Sequence, residues 1–292
     1  MCCDRRIDTI KTCAIGGPSP TPGTPRHGYK QGMLSSHTGT AARGGFTSRV
    51  LTVNIHKGLA FLSRRVVLPQ LREAVRMVHA DLVFLQEVQG AASAAGEPAA
   101  DALDAAHCEF LADQVWPQYA YGRNAVYPRG HHGNALLSKY PITRYDNHDA
   151  SVDGHEPRGL LHCVLQPPER SEPVHAICVH LGLRESHRER QLGMLCSTIR
   201  AEVPDSQLLI VAGDFNDWRH RAHRRLAGCA GLQEVFIHAH GTAARTYPAG
   251  LPLLSLDRIY VRNAVAHAPI VLPRRPWSRL SDHAPLAAEI RQ

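Results

Sequence analysis

The alternation of apolar and polar positions divides this chain into two unlike regions. Over residues 1–48 neither a two-residue nor a 3.6-residue period can be traced. Gly16, Gly17, Pro18, Pro20, Pro22, Gly23 and Pro25 crowd one stretch, and Gly, Ser, Thr and His dominate residues 27–48. A segment of this kind buries too little apolar surface to offset its conformational entropy, so residues 1–48 are expected to be a disordered tail. Met33 lies shortly before the first strand-like run, and a translation start there is an alternative to Met1. Peptides from residues 1–32 in the native protein would exclude it.

From residue 49 the pattern is periodic. Residues 49–55 are rich in β-branched side chains and predict a strand, and Val67, Leu71, Val75 and Val78 recur at helical spacing within 66–79. The short apolar run 81–88 predicts a buried strand. The Ala- and Gly-rich stretch 89–104 predicts a loop, with a helix after it at about 105–115. Further strands are expected at 133–138, 159–166, 174–181, 208–213, 256–261 and 284–290. Leu192, Leu195 and Ile199 mark a helix within 184–200. Strands and helices thus mix along the whole of 49–292, several strands being neighbours of hairpin type. This argues for two packed sheets flanked by helices. No repeat or linker interrupts the region, which is read as one domain.

Composition narrows the class without deciding the function. The 292 residues are 43% hydrophobic and 20% charged, as in ordinary soluble globular proteins. The formal net charge of +7 favours a phosphorylated or polyanionic partner through long-range attraction, but does not choose one. Arg suits bidentate phosphate contacts, although a GC-rich genome would enrich it equally. The eight cysteines form no C-x-x-C pair, which speaks against a cysteine-built zinc site. Cys163 and Cys178 alternate with aliphatic residues as buried free thiols do, so a reducing compartment is expected. No apolar run approaches the length of a membrane span, and residues 1–48 hold no signal-peptide core. A cytoplasmic location is expected.

Candidate chemistry collects where the apolar strands stop. Asn54 ends the first, Glu87 the second and His180 the run 174–179. Asp214 and Asn216 come directly after 208–213, Asp257 opens a strand, and Asp282 with His283 precedes another. Any one of them alone is more readily a turn residue, a cap or a satisfied core group. Together they form a set of hard oxygen donors with two His and no Cys, the chemistry of Mg²⁺ or Mn²⁺ rather than of structural zinc. Asp214 and Asn216, two apart, share a face in extended chain; the adjacent Asp282 and His283 point opposite ways. A carboxylate such as Asp257 would hold the His283 tautomer and raise its imidazolium share.

The ordered set Asn54; Gln86 and Glu87; Gly133, Asn134, Ala135 and Ser138; His180 and Leu181; Gly213, Asp214, Phe215 and Asn216; Leu256, Asp257, Arg258 and Ile259; Ser281, Asp282, His283 and Pro285 resembles the endonuclease/exonuclease/phosphatase superfamily over about residues 49–290. That group includes DNase I-like nucleases, abasic-site endonucleases, neutral sphingomyelinases and inositol-polyphosphate 5-phosphatases. The resemblance implies a DNase I-like α/β fold, a four-layered sandwich of two packed mixed sheets flanked by helices, with the site at one rim. It further implies that Glu87 is the metal carboxylate, with Asn54 and Asp282 nearby around a Mg²⁺ or Mn²⁺ ion. Asp214 would orient or deprotonate the attacking water, and His180 would assist proton transfer. Asn216 and Asn134 would hydrogen-bond the phosphate, and the Asp257–His283 pair would stabilise the pentacovalent phosphorus. An active metal-dependent hydrolase of phosphate esters is the expectation.

Substrate is less legible. Segments around His131 and His132, Glu156 to Gly159, His180 to Arg184 and Arg245 to Pro248 flank the motif residues, and they resemble a bacterial branch of the superfamily. Arg158, just before a strand, is open to two readings: a substrate phosphate ligand or a surface Arg. The basic run 218–225 could track nucleic acid or an anionic membrane surface, or be the solvated face of a helix. Three functions stand at this point. The first is a phosphodiesterase or phosphatase acting on a lipid head group or small phosphoester. The second is a DNA nuclease of abasic-site or DNase type, and the third a non-catalytic binding protein on the same fold. No obligate protein partner is evident.

Overall fold

A computed structural model describes residues 45–59, 66–91, 106–112, 115–127, 130–152 and 154–292. The chain divides into units Met1–Gly45 and Phe46–Gln292, and the second carries every element below. The expected disordered tail lies outside the described residues as far as residue 44, as do positions 92–104 of the expected loop.

Two six-stranded sheets make up the centre. The first runs β11 (Val265–Val271), β12 (Leu286–Arg291), β1 (Thr47–Asn54), β2 (Leu82–Ala91), β4 (Gly130–Ser138) and β3 (Gln118–Tyr127). The second runs β5 (Ile142–Asp149), β6 (Gly159–Leu165), β7 (Val174–His180), β8 (Leu208–Asp214), β10 (Asp257–Arg262) and β9 (Gln233–Glu234). Both sheets are mixed. β1 is parallel to β2 and antiparallel to β12, and β7 is parallel to β8, which is antiparallel to β10.

The two-residue period of each strand sorts its side chains between two cores. Val50, Phe84, Leu136, Cys178, Ile210 and Ile259 point between the sheets. Their neighbours Leu51, Val83 and Leu85 point outward under α1 (Leu68–Met77) and α2 (Ala106–Ala112). Ile177, Val179, Leu209 and Val211 point outward under α3 (Glu185–Glu202) and α4 (Arg221–Ala230). The central strands are therefore apolar on both faces, which is why they read as continuous runs. The layers are helix, sheet, sheet and helix, the DNase I-like arrangement.

The structure departs from the sequence reading in three places. β1 begins at Thr47, where Thr47 and Ser48 pair with Arg291 and Ile290, so the first strand starts inside the expected tail. β3, β5 and β11 are strands that the apolar pattern does not announce, because at least one face of each is polar or exposed. Cys196 of α3 and Cys229 of α4 form a disulfide with Cα atoms 6.0 Å apart, which the expected reducing compartment does not announce, whereas Cys163 and Cys178 are free and buried as expected, and so is Cys108. Among the described residues no helix is long and apolar enough to cross a membrane.

Candidate active site

Three neighbouring strand ends of the second sheet set a row of polar side chains at one rim. His180 is the register partner of Asp214 on one side, and Asp257 is its partner on the other. Gly213 aims this row. Its φ of +147° is open to glycine, and a Cβ there would stand 2.0 Å from the Val179 carbonyl oxygen. Across the rim, Asn54 ends β1. Glu87 sits in a register shift of β2 with φ +57°, a left-handed conformation that turns its carboxylate out of the ladder.

At this rim the Asn54 amide joins the two sheets. Asn54 Nδ2 donates to Glu87 Oε1 at 3.2 Å and to Asp214 Oδ2 at 3.3 Å. Ser281 locks the third component in place, donating through Oγ to the Asn54 carbonyl at 2.6 Å and accepting the His283 N–H at 3.0 Å. The segment 246–249 straps it from outside. Thr246 Oγ1 accepts the Leu256 and Asp257 N–H groups, while the Thr246 and Asp282 carbonyls accept the Ala284 and Ala249 N–H groups. The Tyr247 ring lies 5.1 Å from that of His283, centroid to centroid.

The electrostatics arise from burial and close charges. His283 Nδ1 lies 2.8 Å from Asp257 Oδ2, and its Nε2 faces Asp214 Oδ2 at 3.8 Å. Burial works against charge on this ring, but Asp257 and Asp214 outweigh it and push its pKa up to about 10. Burial raises Asp214 to about 6; His283 pulls that value down and Asp257 pushes it up. His180 is held well below the ordinary His range, first by burial and then by Arg158 and His283. It is neutral, and its tautomer is defined. Arg158 Nη1 donates to Nδ1 at 3.2 Å, so the ring hydrogen sits on Nε2, 3.5 Å from Asp214 Oδ2.

The anchor behind His180 escaped the sequence reading. Arg158 is buried, with its Nη2 2.7 Å from Glu156 Oε2. Glu156 Oε1 in turn accepts from Tyr127 and lies 2.9 Å from His132 Nε2. The His132 contact, together with Arg158 and Tyr127, outweighs burial and holds this carboxyl down at about 2. Arg158 therefore stands behind His180 with two of its nitrogens engaged, which corrects its reading as a surface Arg. Asn134 is likewise corrected. It is fully buried, and its Nδ2 is taken by the Gly159 and Cys178 carbonyls, which leaves no donor for a phosphate. Asn216 does line the rim. Its Nδ2 donates to the Leu181 carbonyl at 2.9 Å, and its backbone N–H donates to Asp214 Oδ1 at 2.9 Å.

The oxygen donors suit a hard divalent ion. Glu87 accepts a single N–H, from Asn54, and among the described residues no cationic side chain pairs with it. Asp282 closes the same edge, with Oδ2 3.4 Å from His56 Nδ1. Asp214, Asp257 and His283 also place ligating atoms within 4.8 Å of one another. A His283 ring held by Asp257 and protonated has no lone pair to offer, however, so Glu87 is the better anchor.

The sequence model of the Endonuclease/Exonuclease/phosphatase family matches residues 51–283. The chain belongs to this family. It is 57% identical over 245 residues to the uncharacterized protein YbhP of Escherichia coli strain K12, an alignment covering 84% of this chain and 96% of that one. Among solved structures, it resembles the endonuclease/exonuclease/phosphatase from Beutenbergia cavernae DSM 12333, with TM-score 0.67, 19% identity and coverage of 84% and 71%. It also resembles D. rerio TDP2 complexed with single strand DNA product, with TM-score 0.63, 17% identity and coverage of 84% and 99%. At these identities the two structures establish a shared fold. In the basic run Arg219, Arg221, Arg224 and Arg225 are all exposed. Arg219 and Arg221 pair with Glu185, and the Arg188 guanidinium covers the Trp218 ring at 4.5 Å.

Proposed function

We propose that the chain is a divalent-metal-dependent hydrolase of phosphate esters, acting as a phosphodiesterase or phosphatase. The supporting observation is the Asn54 amide, which holds the carboxylates of Glu87 and Asp214 from opposite sheets within one hydrogen-bonding span. A metal-anchoring group and a water-activating group thereby stand together at one rim of the two sheets. In this reading Glu87, with Asn54 and Asp282, holds Mg²⁺ or Mn²⁺, which when bound polarises the phosphate and neutralises developing charge. Asp214 accepts the proton of the attacking water; its raised pKa makes it a stronger base that is still ionised at neutral pH. The His283 imidazolium offers Nε2–H to the phosphoryl oxygens on which charge develops, and Asp257 keeps it protonated. Asn216 keeps one amide hydrogen for the same oxygens after bonding Leu181. His180, neutral, presents Nε2–H beside Asp214.

The first substrate reading is a lipid head group or other small phosphoester; pairing of Arg219 and Arg221 with Glu185 offsets part of the charge of the basic run and so weakens it as a nucleic-acid track. The second is a DNA nuclease, supported by the fold shared with D. rerio TDP2 over 99% of that chain. Purified protein with Mg²⁺ or Mn²⁺ should be screened on bis-p-nitrophenyl phosphate, phospholipids, plasmid DNA, and abasic and nicked DNA. Glu87→Gln serves as the control and is expected to lower kcat by about 100-fold or more with the fold intact by circular dichroism. Processing of DNA at low enzyme concentration moves the assignment to the nuclease. Ligand binding without turnover on any substrate leaves only the binding-protein reading. The proposal includes a cytoplasmic setting, for which the buried free thiols speak and the Cys196–Cys229 bond does not. Alkylation of thiols in freshly lysed cells decides the point.

A further inference from the structure

Away from the rim, three histidines run diagonally across the outer face of the second sheet. His148 stands on β5, His162 on β6 and His175 on β7. His148 pairs with Leu160, Asp146 with His162, and Val164 with His175. Steps of two residues keep all three on the face that α3 covers, and Glu202 is the last residue of that helix.

The hydrogens along this row can be allotted in turn. Gln207 Nε2 donates to Glu172 Oε2 at 3.1 Å, which leaves its Oε1 to accept from His175 Nε2 at 2.6 Å. His175 Nδ1 is then a lone pair and accepts from His162 Nε2 at 2.8 Å. A neutral His162 therefore turns a bare Nδ1 lone pair onto Glu202 Oε2, 3.0 Å away. Beside it, His148 Nε2 is buried and makes no hydrogen bond, although Glu202 Oε1 is 3.2 Å away. Ligating atoms of these three residues lie within 4.8 Å of one another. A cation among them would satisfy every one of these atoms at once.

We propose that His148, His162 and Glu202 bind a divalent transition-metal ion, with Zn²⁺ the ion best suited to two imidazole nitrogens and a carboxylate. His175 and Gln207 orient His162 from behind. Glu202 and His148 are partly exposed, at 26% and 29% of their side chains, which leaves access for an ion and for a water as a fourth ligand. The ion clamps β5 and β6 to the end of α3. The competing occupant of the His162–Glu202 gap is a proton on Nδ1. Arg144 Nη2, 3.8 Å from Glu202 Oε2, is a further cation within reach.

The test uses the untagged full-length chain, stripped with chelator and dialysed against Zn²⁺ in excess Mg²⁺, so that the rim site is held by the harder ion. Wild type should retain an equivalent of Zn²⁺ that His148→Ala and Glu202→Gln lose, while Gln207→Ala weakens its retention by about tenfold. Loading with Co²⁺ should give wild type the intense visible absorption of a four-coordinate, nitrogen-bound ion, and His148→Ala should lack it. Circular dichroism checks folding; should a variant unfold, the wild-type Zn²⁺ and Co²⁺ readings decide alone. Failure of wild type to retain Zn²⁺, or unchanged Zn²⁺ and Co²⁺ readings in both folded variants, overturns the proposal in favour of the proton.

Discussion

Replacing Asp257 by Asn separates charge from geometry at His283. The amide oxygen of Asn can still accept the Nδ1 hydrogen that Asp257 Oδ2 accepts at 2.8 Å, so the ring keeps its place while one of its two facing carboxylates is lost. With a pKa of about 10, the ring is about 99% imidazolium near pH 8. Returned to the ordinary value of about 6.5, it would be about 3% imidazolium at the same pH, a loss of about thirtyfold or ~2 kcal/mol. Near pH 5.5 both forms would be about 90% protonated or more. The ratio of wild-type to Asp257→Asn kcat on bis-p-nitrophenyl phosphate with Mg²⁺ should therefore be large at alkaline pH and shrink on acidification. Asp257 also raises the Asp214 pKa, so the acid limb moves as well and the comparison is read on the alkaline side, above the Asp214 titration. A ratio that stays constant across that alkaline range would refute the reasoning, because purely positional damage has no such pH dependence.

The same geometry sets three further outcomes. Arg158→Met removes a cation beside His180, so the His180 pKa should rise and kcat should fall about tenfold, with the acid limb moved to higher pH. Arg158→Lys should restore part of the loss, and an unmoved acid limb would deny Arg158 this positioning role. Gly213→Ala forces a Cβ against the Val179 carbonyl and should cost about 3 kcal/mol in urea unfolding. A cost under about 0.5 kcal/mol would mean that the approach is not tight. His283 has a folded-state pKa above its unfolded value, so its contribution to stability is complete below about 6.5 and fades as pH rises toward about 10. The stability gap between wild type and His283→Gln should accordingly narrow over that window in urea titrations; a gap flat across it would contradict the charge assignment.

Strands buried on both faces were legible in the sequence because nothing interrupts their apolar runs, as in β7 and β8. β5 was not: residues such as Arg144, Asp146 and His148 break its pattern, and its pairing with β6 rather than its composition makes it a strand. The candidate site was legible to the extent that chemistry interrupts a strand end, which singles out Asn54, Glu87, Asp214 and His283. Direction was not legible. Asn134 sits in a motif, yet its amide is spent on backbone carbonyls, and Arg158 turns toward His180. Neither orientation leaves a mark in local spacing. The Tyr127–Glu156–Arg158 anchor and the Cys196–Cys229 bond join residues 29, 2 and 33 positions apart, and no period links them.

The pairing of β1 with β12 has a consequence for how this protein comes into being. β12 occupies an interior lane of the first sheet, between β11 and β1, and Ser281 just ahead of it grips the carbonyl of Asn54. A nascent chain that has not yet delivered residues 281–291 leaves one side of β1 without a partner and His283 absent from the rim. Assembly of the candidate site thus waits for residues 281–291. The zippering of stretches more than two hundred residues apart should govern the rate of maturation, and chains cut before residue 281 should be inert rather than merely weakened.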